Sequence, residues 1–151
     1  MKLFHKAKDG GVYSNVTGYW LIEWKPVFSI ALLCFDKGSR EAFHSHAFHA
    51  VSWILSGKLA EITLVDGKQE YGYMEPSWKP VFTSRERTHQ VHGIANKTWA
   101  LTFRGPWLDK WIEVFPKHNT THTLTHGRNI VRTTVTGSNN SVNTTIINVN
   151  D

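Results

Sequence analysis

Up to about residue 117 the chain carries short apolar runs separated by turn-forming residues, and there the pattern stops. The runs fall at 18–24, 27–35, 50–55, 59–65, 79–83, 89–92, 98–103 and 111–115, and they are rich in β-branched, aromatic and aliphatic residues. Each has the length of a strand and is too short for an independent helix. They are punctuated by Pro26, Asp36-Lys37-Gly38, Ser56-Gly57 and Asp66-Gly67, the last a strong two-residue hairpin signal. No run has a helical repeat, and only 106–110 leaves room for a helical turn. Strands at this regular, short spacing predict an all-β sandwich or barrel.

Beyond residue 117 the composition changes. All seven Trp, four Tyr and eight Phe lie at or before Phe115, whereas the 34 residues from 118 to 151 hold nine Thr, seven Asn and no aromatic. Such a segment has little apolar surface to offset its ordering entropy. The expected organisation is one β domain over 1–117 and a Thr/Asn-rich C-terminal extension over 118–151, partly ordered or mobile. Leu124, Ile130, Val131 and Val135 could lay a short element on the body, and the stretch beyond Gly137 reads as a mobile tail or an edge strand in need of a partner.

At 151 residues the chain has the length of one domain, with 40% apolar residues to build a core. No apolar run reaches the roughly 18 residues that cross a bilayer, and the basic N-terminus lacks the apolar stretch of a secretion signal. A single cysteine, Cys34, excludes a disulfide framework and a thiolate zinc site, and its apolar neighbours predict a buried thiol. The expected compartment is the cytoplasm, that of the host if a phage encodes the chain. The Asn-x-Ser/Thr sequences at Asn15, Asn96, Asn119, Asn139 and Asn143 are then chance products of composition. A net charge of +5 permits an anionic partner without requiring one. The basic residues are scattered and no nucleic-acid-binding motif occurs, so neither nucleic acid nor a membrane is an expected partner.

Nine histidines are the unusual feature. His44 and His46 stand at i and i+2, positions that share one face of a strand about 6.6 Å apart along the chain. His89 lies on another predicted strand, with His92 beside it. Neutral imidazoles on a β scaffold with open coordination positions suit Fe(II), Mn, Ni, Zn or Cu. His49 could join them only if a turn carried it round. His118, His122 and His126 recur every four residues, but the intervening threonines disfavour a helix, so these are read as histidines of the extension.

The segment Gly38-(five residues)-His44-Ser45-His46-(three residues)-Ala50-(six residues)-Gly57 resembles the first motif of the cupin superfamily in its spacing. Residues 76–89 resemble a degenerate second motif, with His89 as its histidine and without the usual Pro-x-Gly turn. A closer likeness is to small bacterial and phage cupins, in the pattern His44-Ser45-His46, Ser52-Trp53-Ile54-Leu55-Ser56-Gly57, Glu61 and His89, closing on Phe103-Arg104-Gly105-Pro106-Trp107. The resemblance spans about residues 27–115. It implies a single-domain cupin jelly-roll β-barrel, a homodimer, and one divalent metal ion (Fe, Mn, Ni or Zn) held by His44, His46 and His89.

Where the motif has an acidic fourth ligand this chain has Ala50, which cannot bind metal. Glu61 is one substitute. If Ser56-Gly57 closes a tight hairpin, Ser52 pairs with Glu61, and strand alternation turns Ala50, Ser52 and Glu61 to one face. Glu61 would then be a ligand or an acid–base residue beside the ion. His49 is a second substitute, and a three-histidine site without a carboxylate is the third. Arg85, Glu86 and Arg87 are read as a solvated loop, with contact to an anionic substrate as the alternative. Arg104 could set a guanidinium at the barrel mouth, and seven Trp suggest a wide aromatic pocket or a dimer surface.

The expected function is that of a metal-binding cupin, a mononuclear enzyme of dioxygenase or isomerase type acting on a small oxygen-rich metabolite, with Glu61 as the catalytic group that moves a proton. Two alternatives stay open. One is a non-enzymatic barrel that sequesters a small ligand; the other is a metal-independent sugar epimerase with a histidine base and a tyrosine acid.

Overall fold

The computed structural model describes residues 1–38, 42–137 and 142–145. Its strands are β1 (Lys2–Lys8), β2 (Val16–Trp24), β3 (Phe28–Gly38), β4 (Phe43–His44), β5 (Ala50–Ser56), β6 (Leu59–Val65), β7 (Lys68–Met74), β8 (Val81–Thr83), β9 (His89–Arg104), β10 (Trp111–Phe115), β11 (Thr120–Leu124), β12 (Ile130–Thr136) and β13 (Val142–Thr145). Among the described residues there is no α-helix; Pro116–His118 and His126–Arg128 are single 3-10 turns, and 106–110 is irregular. Among the described residues no helix is long and apolar enough to cross a membrane.

The runs at 89–92 and 98–103 are not two strands but parts of one, the 16-residue β9. It is the hub of the fold. Residues 99–104 of β9 pair antiparallel with β3 on one side and β5 on the other. Residues 89–93 pair instead with β6, and His89 with His44 of β4. The strand therefore passes from one sheet into a second. The first sheet runs β1-β2-β3-β9-β5-β8, and the second runs β7-β6-β9-β4-β10-β11-β12-β13. Their inner faces oppose one another as in a jelly roll, and the core lines both. Trp20, Ala31 and Leu33 fill one part of it, Ile54, Leu59 and Ala100 another, and Ala47, Phe48 and Ala50 a third.

One expected pairing does not form. Ser52 stands opposite Thr102 and Val81, and Glu61 opposite Val91 and Gly72, so β5 and β6 are not a hairpin. The Thr98 hydroxyl accepts from Lys58 N at 3.0 Å and donates to Lys58 O at 3.1 Å, which pins the 56–58 turn onto β9. The turn thereby carries the chain across from one sheet to the other. The Asp66-Gly67 signal does close a hairpin, with Val65 opposite Lys68 and both turn residues left-handed (φ 49 and 74), as a type I′ turn requires.

Cys34 is buried and free. After residue 117, β11 pairs with β10, β12 with β11, and Leu124 is buried against the body. Of the stretch beyond Gly137 expected as a tail or edge strand, β13 lies on the edge of β12, and the rest, Asn139 included, falls outside the described residues.

Candidate metal centre

The strand β4 is only two residues long, and the chain beyond it is held by its neighbours. Ser45 N donates to Ile112 O at 3.0 Å, Ile112 N returns a bond to Ser45 Oγ at 3.0 Å, and His46 N donates to Arg85 O at 3.0 Å. Ser45 is tied to β10 in this way, and His44 and His46 turn to the same side. His89 opens β9 directly across from His44. The three rings form a nearly equilateral triangle, with centroids 5.0, 5.0 and 4.9 Å apart. One nitrogen from each ring lies within 4.8 Å of the other two, so the group could hold a metal ion. Two imidazoles on one ion at bonds of about 2.1 Å need their nitrogens roughly 3–3.5 Å apart; His46 Nε2 and His89 Nε2 are 2.8 Å apart, and the His44 nitrogen lies within 4.8 Å of both.

Protonation supports the same reading. Burial, reinforced by the charges of His44, His89 and Arg104, holds His46 well below its ordinary pKa, so at neutral pH it carries a lone pair rather than a charge. His89 is fixed from behind. Its Nδ1 meets Glu61 Oε1, while its Nε2 faces His46 Nε2 at 2.8 Å. A carboxylate on Nδ1 selects the tautomer with the proton there, which leaves the Nε2 lone pair pointing at the cluster.

Glu61 sits on the far side of His89 from the other two histidines. It is buried, yet it does not line the cavity that the histidines face. Burial pushes its carboxyl up, but the hydrogen bond and charge of His89 together with the Arg87 guanidinium, 2.7 Å from Oε2, outweigh this and hold it below the ordinary carboxyl value. Arg87, expected as a solvated loop residue, is thus the anchor of Glu61. Ala50 does face the cavity, at the position of the absent ligand. His49 is not its substitute: it stacks on Phe82 and faces the Arg85 main-chain N and Nε at 3.1 and 2.8 Å. His92, three residues from His89, falls on the opposite strand face and contacts Gln90. His122 contacts Thr133, and His126 stacks on Trp107. His118 lies in a 3-10 turn.

The histidines open on a cavity of about 540 Å³ between the two sheets, lined also by Trp20, Phe48, Trp107 and Trp111. Two ion pairs stand at its wall, and the sequence foreshadows only Arg104 among their members. Arg104 pairs with Asp9, and Glu113, opposite His44 in the β10–β4 ladder, pairs with Arg128. The partners are 95 and 15 positions apart, beyond the reach of a local pattern. For the second pair the one available signal was a glutamate in the middle of the otherwise apolar run Trp111–Phe115. The four tyrosines are all exposed and none lines the cavity, so no tyrosine acid stands beside the histidines.

No model of a known family matches the sequence, and no curated protein matches it. Solved structures do. The Fe(II) form of HppE superposes with a TM-score of 0.54 at 12% identity, over 66% of this chain and 55% of that one. HppE in complex with substrate gives 0.53 at 11% identity over the same shares. Oxalate decarboxylase from Bacillus subtilis gives 0.53 at 7% identity, over 69% of this chain and 27% of that one. The chain spans about half the length of the first of these proteins and about a quarter of the second. Both are cupin-fold proteins, and the fold of this chain is the cupin jelly roll.

Proposed function

We propose that the chain is a metal cupin in which His44, His46 and His89 hold one divalent ion at the wall of the cavity, and that it is an enzyme acting on a small oxygen-rich molecule. The observation that carries this reading is the relay Arg87–Glu61–His89, which presents the His89 Nε2 lone pair to two other imidazoles. Nothing in a folded β-barrel needs three converging imidazoles for stability alone, because burying them costs desolvation. A bound divalent ion would act as a Lewis acid toward oxygen atoms of a ligand and, as Fe(II), would also support O2 chemistry. The chain's own residues supply the rest. The aromatic wall lines the ligand's space, and Glu61 orients His89 and holds its proton on Nδ1, which strengthens Nε2 as a donor. The homodimer and the cytoplasmic location expected above belong to the same proposal.

The proposal is tested on untagged protein by mass-spectrometric metal content and by titration with Fe(II), Mn(II), Ni(II) and Zn(II). Near one ion per chain is expected, lost in His46→Ala and in His89→Ala and kept in His122→Ala. A protein that takes up none of the four metals, and whose melting temperature none of them moves, overturns the proposal.

A further inference from the structure

Arg104 is the most constrained cation of the cavity wall. Its side chain is 6% exposed, and its guanidinium is clamped between the Trp20 and Phe48 rings, 4.9 and 4.5 Å from their centroids. Phe48 in turn lies 5.4 Å from the His46 ring, so a single phenyl ring separates the guanidinium from the histidine cluster. The fork is occupied by Asp9, with Nη1 3.1 Å from Oδ1 and Nη2 2.5 Å from Oδ2. That is the two-point geometry of a carboxylate on an arginine. Arg104 Nε remains buried without a partner.

Asp9 is the more exposed member of the pair, and its backbone N donates to Val16 O at 2.9 Å. Its side chain is 24% exposed, and it follows the edge strand β1, whose residues are all exposed except His5. Directly after it come Gly10 and Gly11, both left-handed at φ 95 and 98. Two successive glycines give the segment after Asp9 a backbone freedom that no other residue type would allow. A carboxylate that swings out here hydrates at little cost. A buried guanidinium that loses its anion pays a large desolvation penalty, unless another anion takes the place.

We propose that Arg104 is the anchor for the carboxylate of a small organic acid, and that Asp9 keeps this place until such an acid enters the cavity. The acid's carboxylate takes over the fork one for one, so the charge of the cavity is unchanged by the exchange. Its other end then extends past Phe48 toward His44, His46 and His89, a placement that rests on the metal reading above. The clamp of two aromatic rings fixes the plane of the guanidinium, whose fork already holds the Asp9 carboxylate by two points, so an incoming carboxylate meets the geometry it needs.

The test uses the full chain stripped of metal on a chelating resin, with malonate as the probe and chloride at equal ionic strength as the control. Asp9→Asn is expected to bind malonate at least tenfold more tightly than the wild type by calorimetry. Its melting temperature is expected to fall in chloride and to recover in malonate. Arg104→Gln in the Asp9→Asn background is expected to remove both effects, and Arg104→Lys to remove most of the affinity, because an ammonium lacks the fork. Malonate affinity of Asp9→Asn within twofold of the wild type overturns the proposal, as does a gain that survives Arg104→Gln. Phosphate matching malonate in affinity overturns the assignment to a carboxylate. Should Asp9→Asn fail to fold in chloride, malonate-dependent refolding supports the proposal and equal failure in both salts overturns it. None of these measurements needs a metal, so their failure is distinct from a failure of the metal reading.

Discussion

Replacing Glu61 with Gln tests the centre with the least change of shape. Glu61 uses one oxygen for His89 Nδ1 and the other for Arg87 Nη2, so both of its neighbours require an acceptor. A glutamine has one acceptor oxygen and one NH2 group. If the oxygen stays on Arg87, the NH2 faces His89 and the ring adopts the other tautomer, with its proton on Nε2. A protonated Nε2 has no lone pair for an ion. Binding must then first restore the native tautomer and lose a hydrogen bond worth about 1–1.5 kcal/mol, which is roughly a tenfold loss of affinity. Loss of the carboxylate's charge behind the ligand adds to this, giving an expected range of about 10–100-fold. Competition titration of Zn(II) or Mn(II) against a chromophoric chelator measures it, on protein shown to be folded by circular dichroism. His92→Ala, on the outer face of the same strand, is the control and is expected to bind like the wild type. Affinity within twofold of the wild type would show that Glu61 does not orient His89. Loss as complete as in His46→Ala would place Glu61 in the coordination shell itself. Either result refutes the relay.

Two further predictions concern the scaffold. Leu59, 1% exposed where β6 begins, packs against Ile54 and Ala100, and Leu59→Ala is expected to cost about 2–5 kcal/mol in a urea unfolding series, with metal affinity of the folded fraction preserved. At Gly93, where β9 leaves the second sheet, an added Cβ would stand 2.2 Å from the Asp36 carbonyl oxygen, so Gly93→Ala is expected to cost about 1–3 kcal/mol or to abolish folding. Wild-type stability in Gly93→Ala would show that β3 and β9 need not approach as described.

The parts of the fold visible in the sequence are those set by local residue choice. Leu59–Val65 and Trp111–Phe115 are strands at the bounds their composition gives, and Asp66-Gly67 turns because only such a pair tolerates two left-handed residues in succession. The Ser56-Gly57 turn misleads for a physical reason. A glycine turn is the same local object whether the chain folds back on itself or crosses between sheets, and the choice is made here by Thr98, some 40 residues away. β4 is too short to carry a period, and β1, almost wholly exposed, has none of the burial that periodicity reports. The histidine pair was legible because i and i+2 share a face on any extended segment. Of the charges that shape the cavity only Arg104 was legible, and the pairings were not, since Asp9 and Arg104 are 95 positions apart and Glu113 and Arg128 meet across a strand and a turn.

That last pair bears on where the domain ends. A chain terminated after Lys117 would keep every candidate metal ligand, and composition alone makes it the natural unit. It would also lose Arg128, the cation on the Glu113 carboxylate, together with β11, the partner of β10. Glu113 is 8% exposed, so truncation takes the Arg128 guanidinium away from a buried carboxylate, at a cost of about 3 kcal/mol. Leu124, 3% exposed, would be removed from the edge of the core, a further loss of about 2 kcal/mol. Together these approach the whole stability of a marginal domain, roughly 5–15 kcal/mol. The truncated chain is therefore expected to be unfolded or to melt far below the full chain, and Glu113→Gln within the truncation to recover part of the loss by removing a buried charge that has lost the Arg128 guanidinium. Calorimetry of the three chains decides it. A truncated protein with wild-type melting temperature would set the boundary at residue 117 and show that the Arg128–Glu113 contact contributes nothing.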